Sequence, residues 1–287
     1  MLHWPAEHPA CTDPALAQWR PGADELCPDG STVVEVLRHL PGRRVATLIR
    51  TRERLIVLKL FASPRGRGNH RRLCTLASTT AAPRLPTPIA ASRDGHSTTL
   101  TFQPGTPMPQ LPDDDFVAGS ADAGDALRQL HASGAILDRA WTVHDELRQL
   151  AETAGTTTRQ TIDRMIMSCQ LGPSDQLVPS HRDYYAAQIV RCHDCTRLID
   201  LDDAAMAPPA LDVANFVAHL DKDQVDGSRR ASIVAAARRA FLDAYGRQPD
   251  DLRSWHRLSL ARLVALAETR HHDPGAVHRL TDLLEHT

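Results

Sequence analysis

The chain has 287 residues, of which 42% are hydrophobic and 24% are charged, and its formal net charge at pH 7 is −2. This length fits two lobes or a pair of domains, and the composition is typical of a soluble globular protein. A nearly neutral charge gives no indication of a nucleic-acid partner, and no apolar run approaches the roughly 18 residues of a membrane-spanning helix.

Residues 1–30 are rich in Pro, Asp and Cys. They are predicted to be an N-terminal extension that packs on the first lobe, with a short helix around residues 14–19 capped by Asp13. The first residues lack the basic start and apolar core of a signal peptide, and the six cysteines do not form a dense framework. We therefore expect a cytoplasmic protein with reduced thiols and no membrane partner.

Residues 31–103 are predicted to form a small β-rich lobe, because runs of β-branched and aliphatic residues alternate with turn signals. The sequence Gln103-Pro104-Gly105 ends this sheet. The expected elements are strands at 33–37, 45–50, 55–61, 89–91 and 98–102 and one helix at 66–77.

Residues 104–287 are predicted to form a larger helical lobe that is interrupted by one hairpin. The helix near 250–271 has apolar residues on one broad face, and Arg262 lies on the same face. The expected helices are at 116–131, 141–154, 157–170, 210–220, 228–245, 250–271 and 274–285.

The segment Ser180–Val190, followed by Leu198–Asp203, carries the most informative pattern in the chain. It is predicted to be a buried strand, a polar loop and an apolar hairpin that ends in carboxylates. Because a short hairpin brings its two ends together, Asp183, Gln188 and Asp200 are expected to share one small volume. Two carboxylates and an amide oxygen suit Mg²⁺, which requires hard oxygen ligands and also binds phosphate.

The pattern H-R-D-x-x-x-x-Q followed by I-D-x-x-D resembles the catalytic segment of the aminoglycoside phosphotransferase and choline kinase-like family. The resemblance covers roughly residues 33–287 and implies an α+β, protein-kinase-like two-lobe fold with a nucleotide between the lobes. It also implies a small-molecule kinase that transfers the γ-phosphoryl group of ATP or GTP to a hydroxyl acceptor with the help of Mg²⁺. The family usually has Asn where this chain has Gln188.

In this resemblance Asp183 is the catalytic base that takes the proton of the acceptor hydroxyl. A carboxylate that merely bridges a turn is the alternative. His181, also part of the catalytic triplet, is expected to support the loop by hydrogen bonding rather than to react.

Asp200 and Gln188 are the expected Mg²⁺ ligands. A lone carboxylate at the end of an apolar strand needs a cation or an arginine partner, so a salt bridge is the alternative for Asp200. A turn-closing amide is the alternative for Gln188. Asp202 and Asp203 are candidates for a supporting role beside the metal, and Asp212 matches a family aspartate that ties the catalytic loop to the next helix.

Lys59 is one of only two lysines among the 33 basic residues, and its strand is apolar on both sides. A buried ammonium group needs an anion, and in the resembled family a lysine of the third strand contacts the α- and β-phosphates. A lysine that extends from an edge strand into solvent is the alternative.

The remaining nucleotide contacts are expected from Arg43, in the turn after the first strand, and from the backbone of Thr101, Phe102 and Gln103, which resembles an adenine-binding hinge. Arginine suits phosphate because its fork donates two hydrogen bonds, although a solvated turn is equally compatible. This turn lacks a Gly-x-Gly-x-x-Gly motif, and the helix after Lys59 carries no glutamate.

Those departures leave a second interpretation open, in which the chain is a nucleotide-binding or regulatory pseudo-phosphotransferase without turnover. The sequence does not name the hydroxyl acceptor, the choice between ATP and GTP, or the oligomeric state.

Overall fold

A computed structural model describes residues 2–79, 83–169, 171–172, 176–192 and 195–287. The chain divides into two compact units. The first comprises Met1–Thr80 and Leu85–Pro104, and the second comprises Ala81–Arg84 and Gly105–Thr287.

In the first unit, three short helices precede an antiparallel sheet and one longer helix. The helices are α1 (Pro9–Thr12), α2 (Pro14–Ala17) and α3 (Arg20–Asp24). The following elements are β1 (Thr32–Leu40), β2 (Arg44–Arg50), β3 (Leu55–Phe61), α4 (Gly66–Ala77), β4 (Pro88–Ala91) and β5 (Ser97–Thr101). The sheet has the order β1-β2-β3-β5-β4, so the expected antiparallel lobe with its single helix is confirmed.

The N-terminal extension covers one face of this sheet. Apolar side chains that alternate along β2 and β3 point to that face and are buried against the extension, because the side chains of a strand alternate between its two faces. The shared core contains Leu2, Trp4, Ala10, Leu16, Ala23, Cys27, Val45, Ile49, Ile56, Leu58 and Leu60.

Asp13 fastens the extension to the turn between β1 and β2. Its Oδ1 accepts the Ala15 amide at 3.0 Å and caps α2, as predicted. Its Oδ2 accepts the Gly42 amide at 2.8 Å and lies 3.0 Å from His39 Nε2. Gly42 has a φ of +69°, which a glycine adopts without strain. One nearly buried carboxylate thus holds three groups from two segments.

We expect Asp13→Ala to lower the free energy of unfolding by about 1–3 kcal/mol, because a helix cap is lost and a turn amide loses its acceptor. Urea denaturation measures the change. Glu25→Ala removes the same charge from an exposed position of the extension and should change the value by less than about 0.5 kcal/mol. Equal effects of the two substitutions would contradict the anchoring role of Asp13.

The second unit is mostly helical. Its first elements are β6 (Thr106–Pro107), α5 (Asp113–His131), α6 (Val143–Thr153), α7 (Arg159–Ser168), β7 (Val178–Ser180), β8 (Ile189–Arg191), β9 (Thr196–Leu198) and β10 (Ala205–Ala207). The helices that follow are α8 (Pro209–Val225), α9 (Ala231–Tyr245), α10 (Leu252–Leu266) and α11 (Pro274–His286). The helix expected at 250–271 is α10 followed by a π-helical turn over Ala267–His271.

Two small sheets position the catalytic segment within this unit. β7 pairs with β10, and β8 pairs with both β9 and β6, all antiparallel. The long helix α8 begins directly after β10, and α10 packs against α8 in a common apolar core. Within the part of the chain that the structure describes, no helix is long and apolar enough to cross a membrane.

Candidate active site

The loop between β7 and β8 carries the predicted catalytic residues. Its central residue Tyr184 is fully buried, and the hydroxyl group donates a hydrogen bond to the Ala123 carbonyl of α5 at 2.7 Å. The Tyr184 carbonyl accepts a hydrogen bond from Asn215 Nδ2 of α8 at 3.0 Å. Tyr184 therefore ties the loop to two helices, α5 and α8.

Asp212, near the start of α8, holds the first half of the loop. Its two carboxylate oxygens accept the amides of His181 and Arg182, each at 2.7 Å, and Oδ2 also lies 3.3 Å from His131 Nε2. Burial opposes the charged form, but the hydrogen bond and electrostatic attraction from His131, with the His181 amide, outweigh it, so the pKa of Asp212 lies below its ordinary value. These bonds hold Arg182 at a φ of +69°, a conformation that is costly for a residue other than glycine.

His181 is fully buried and connects the catalytic loop to the second arm of the hairpin. Its Nε2 lies 2.8 Å from the Ile199 carbonyl, and its Nδ1 lies 3.3 Å from the Asp183 amide nitrogen. A carbonyl only accepts and an amide only donates, so we assign the neutral tautomer with the proton on Nε2. Both ring nitrogens are occupied by backbone groups.

Asp183 is half-buried and has two side-chain neighbours. Its Oδ1 pairs with Arg262 Nη2 at 2.9 Å, and its Oδ2 lies 3.5 Å from Gln188 Nε2. The sequence interpretation did not identify Arg262 as part of the site. The available signal was an arginine within an otherwise apolar helix face, a position that calls for a buried anion.

Gln188 and Asp200 are brought together by the hairpin. The register pairs Ile189 with Leu198, and the Gln188 carbonyl accepts the Ile199 amide at 2.9 Å. Asp200 follows at once in a left-handed conformation with a φ of +60°. Gln188 therefore lies beside Asp183 through its side chain and beside Ile199, the residue before Asp200, through its backbone.

The turn after Asp200 contacts the loop between β7 and β8 through Arg182. Asp202 is buried, and the Asp203 carbonyl accepts a hydrogen bond from Arg182 Nη1 at 3.2 Å. The Arg182 guanidinium carbon lies 3.4 Å from the centre of the Trp141 ring, a cation–π contact. Burial lowers the pKa of Arg182 to about 10, so the group stays charged at neutral pH.

The predicted nucleotide contacts lie in the first unit. Lys59 is 7% exposed and is paired with Ala46 on one side and Thr98 on the other, so these three residues share a sheet face. Arg43 lies in the exposed turn that Asp13 anchors. The hydroxyl of Thr101 accepts hydrogen bonds from the Thr87 amide at 2.8 Å and from Gln103 Nε2 at 2.9 Å.

The predicted hinge, residues 101–103, is also joined to β3, because the Phe102 amide donates to the Leu55 carbonyl at 3.4 Å. This contact lies at the end of the strand pair β3–β5, where the predicted backbone contacts to adenine begin.

The donor set of the second unit fits a magnesium ion with a nucleotide. Asp200 offers carboxylate oxygens and Gln188 offers an amide oxygen, the hard ligands that Mg²⁺ prefers. Gln188 directs its nitrogen towards Asp183, so its Oε1 is the atom left to bind a cation. Mg²⁺ commonly uses one or two protein ligands together with phosphate oxygens and water.

No protein-family model matches the sequence, and no curated protein matches it significantly. Solved structures match most of the chain. The aminoglycoside phosphotransferase APH(4)-Ia has a TM-score of 0.67 and 12% identity, over 94% of this chain and 97% of that one. A choline/ethanolamine kinase family protein from Mesorhizobium loti has a TM-score of 0.59 and 14% identity, over 84% and 85% of the two chains.

A glucosamine kinase in complex with glucosamine, ADP and inorganic phosphate has a TM-score of 0.56 and 19% identity, over 95% of this chain and 83% of that one. The chain therefore has the protein-kinase-like fold of the aminoglycoside phosphotransferases and choline/ethanolamine kinases. The resemblance predicted from the catalytic motif is confirmed at the level of the fold.

We expect Asp212→Asn to lower the free energy of unfolding by about 2–4 kcal/mol, because two loop amides then share one oxygen and the charge beside His131 is lost. The folded state depresses the pKa of Asp212. The stabilisation by its charged carboxylate is therefore present at neutral pH and is lost as the pH falls through the depressed pKa. Urea denaturation at decreasing pH measures both effects.

The matched control is Asp243→Asn, which neutralises an exposed carboxylate on α9. It should leave stability within about 0.5 kcal/mol of the wild type. A loss no larger than this in Asp212→Asn would mean that the carboxylate does not hold the loop.

Proposed function

We propose that the protein is a small-molecule kinase that transfers the γ-phosphoryl group of ATP or GTP to a hydroxyl of a small acceptor. The observation that carries this proposal is the position of Gln188, whose side chain contacts Asp183 and whose backbone pairs with the residue before Asp200, in a chain with the protein-kinase-like fold. A carboxylate base and a pair of oxygen ligands are the groups that phosphoryl transfer requires at such a site.

Asp183 is the proposed base. The acceptor oxygen attacks the γ-phosphorus, the bond from that phosphorus to the β–γ bridging oxygen breaks, and the nucleoside diphosphate leaves with the electron pair. Asp183 Oδ2 takes the acceptor proton as the new bond forms. His181 holds the loop, since both of its ring nitrogens are engaged with backbone groups.

Asp200 and Gln188 would hold Mg²⁺, which supplies charge stabilisation for the phosphoryl oxygens. Asp202 and Asp203 follow in the same turn and would support the position of Asp200. Asp212 would keep the loop in its bonded conformation through the two amides that it accepts.

In the first unit, Lys59 is the proposed contact to the α- and β-phosphates, and Arg43 is a candidate for a further phosphate contact. The backbone of Thr101, Phe102 and Gln103 is the proposed site for the base of the nucleotide. Structures of matched proteins support nucleotide binding, since a thermostable mutant of APH(4)-Ia was solved with AMP-PNP and hygromycin B and the glucosamine kinase with ADP.

The acceptor is proposed to be a small compound with several hydroxyl groups. Hygromycin B and glucosamine, the ligands of the matched structures, are both of this kind. They are the first compounds to test as acceptors.

A nucleotide-binding protein without turnover is the second candidate. Two observations favour it: Gln188 stands where the family has Asn, and the Asp183 carboxylate is already paired with a guanidinium group. The two experiments below separate the candidates.

We expect Asp183→Asn to reduce turnover of Mg-ATP or Mg-GTP by at least about 100-fold, because the amide no longer accepts a proton, while the Kd for the Mg-nucleotide stays within about threefold. Release of nucleoside diphosphate with glucosamine or hygromycin B measures turnover. Asp114→Asn, at an exposed position of α5, is the control and should behave as the wild type. Full activity of the Asp183 variant would remove this residue from the mechanism.

We expect Mg-ATP, Mg-GTP or both to raise the free energy of unfolding by about 2.7 kcal/mol at a hundred times the Kd. Thermal unfolding with and without each Mg-nucleotide measures the effect. In Lys59→Met the shift should shrink at the same concentration, because the phosphates lose a buried cation. If the wild type shows a shift but no turnover, the second candidate holds; if it shows neither, both candidates fail.

A further inference from the structure

Arg262 is the one charged residue in the second half of α10, from Leu258 to Leu266. Its neighbours along α10 are buried in the core of the second unit, among them Leu258, Ala261, Leu263 and Val264. The Arg262 side chain is 21% exposed. A guanidinium group at such a place requires anionic or carbonyl partners, because its desolvation is costly.

Those partners are two consecutive residues of the catalytic loop. Nη2 donates to Asp183 Oδ1 at 2.9 Å, and Nη1 donates to the Arg182 carbonyl at 3.3 Å. The fork of the guanidinium group thus spans the backbone and the side chain of adjoining positions. Asp212 of α8 accepts hydrogen bonds from the amides of His181 and Arg182. The loop thus donates to α8 and accepts from α10.

The geometry distinguishes the two oxygens of the Asp183 carboxylate. Oδ1 is engaged by Arg262 at 2.9 Å, whereas among the described residues Oδ2 has only a long contact of 3.5 Å to Gln188. A carboxylate that is fixed through one oxygen presents the other in a defined direction. Oδ2 is therefore the oxygen that is free to accept a hydroxyl proton.

The charges around Arg262 favour this arrangement. Burial works against its charged form, but Asp183, Glu146 and Asp203 outweigh that cost, and the pKa of Arg262 is raised. Arg182 is a like charge close to Arg262, and the two guanidinium groups repel each other. Glu146 accepts a hydrogen bond from Trp141 Nε1 at 2.8 Å, and Arg262 contacts the Asp183 carboxylate directly at 2.9 Å.

We infer that Arg262 is the positioning residue of the catalytic base, which holds Asp183 by Oδ1 and the Arg182 carbonyl so that Oδ2 faces the acceptor hydroxyl. The inference rests on the proposed function, because it assigns Arg262 a role only in a chain that turns over nucleotide. Arg262 does not touch the reacting atoms; it acts through Asp183. A displacement of about 1 Å in a catalytic group is enough to cost roughly 100-fold in rate.

The test compares Arg262→Gln and Arg262→Lys with the wild type in the full chain. Release of ADP from Mg-ATP, or of GDP from Mg-GTP, is measured with water and with glucosamine as acceptors. The result is expressed per folded molecule, with the folded fraction taken from urea denaturation. This correction separates an effect on catalysis from a loss of stability.

We expect Arg262→Gln to lower kcat by roughly 10- to 100-fold with an unchanged KM for the nucleotide. Arg262→Lys should recover part of kcat, because an ammonium group still pairs with Oδ1 but does not bridge to the Arg182 carbonyl. In the background of Asp183→Asn, the further change Arg262→Gln should have no effect on the residual rate, since Arg262 acts through a base that is already absent.

Arg257→Gln is the matched control, because it removes the same charge from a half-buried position of the same helix. It should leave kcat unchanged. A kcat of Arg262→Gln equal to or above that of the wild type would overturn the inference and leave Arg262 as a stabilising contact. A wild type that releases no nucleoside diphosphate from either nucleotide would instead mean that the proposed function itself fails.

Discussion

The bonds from Asp212 to the amides of His181 and Arg182 are the constraint on which the rest of the site depends. They hold Arg182 in a left-handed conformation. The side chain of the next residue, Asp183, lies beside Gln188. Without a buried acceptor, two amides in an apolar interior would each be costly. A buried carboxylate on the first turn of α8 meets that requirement and joins the catalytic loop to the core of its unit.

Much of the fold could be predicted because local pattern and tertiary environment agree. Strands β2 and β3 are mainly aliphatic, with Thr47 and Lys59 as the polar residues inside them, and α4 has the bounds that its periodicity indicated. The role of the extension was visible only in part. Asp13 could be predicted as a helix cap from its neighbours in sequence, but its bond to Gly42 depends on how the extension lies across the sheet. The pattern of residues near Asp13 in the sequence does not predict its contact with Gly42, which is 29 residues away.

In the candidate site, too, local spacing predicted some contacts and tertiary packing determined others. The spacing of Gln188 and Asp200 identified their proximity, because a hairpin has few geometries and its ends must meet. Arg262 was seen in the sequence only as an interruption of an apolar face. Its partner Asp183 lies far away along the chain, and the packing of α10 against α8 is what brings them together. A lone charge in an apolar pattern indicates that a partner exists, but not which one.

The most direct measurement is an anomalous-difference map from crystals grown with Mn²⁺ and the non-hydrolysable analogue AMP-PNP. If the hairpin is a metal-nucleotide site, we predict a Mn²⁺ peak at ligand distance from the Asp200 carboxylate and Gln188 Oε1, with Lys59 on the phosphates and Asp183 Oδ2 unobstructed. A nucleotide bound with its phosphates and metal away from Asp200 and Lys59 would contradict the central claim that this hairpin supports phosphoryl transfer.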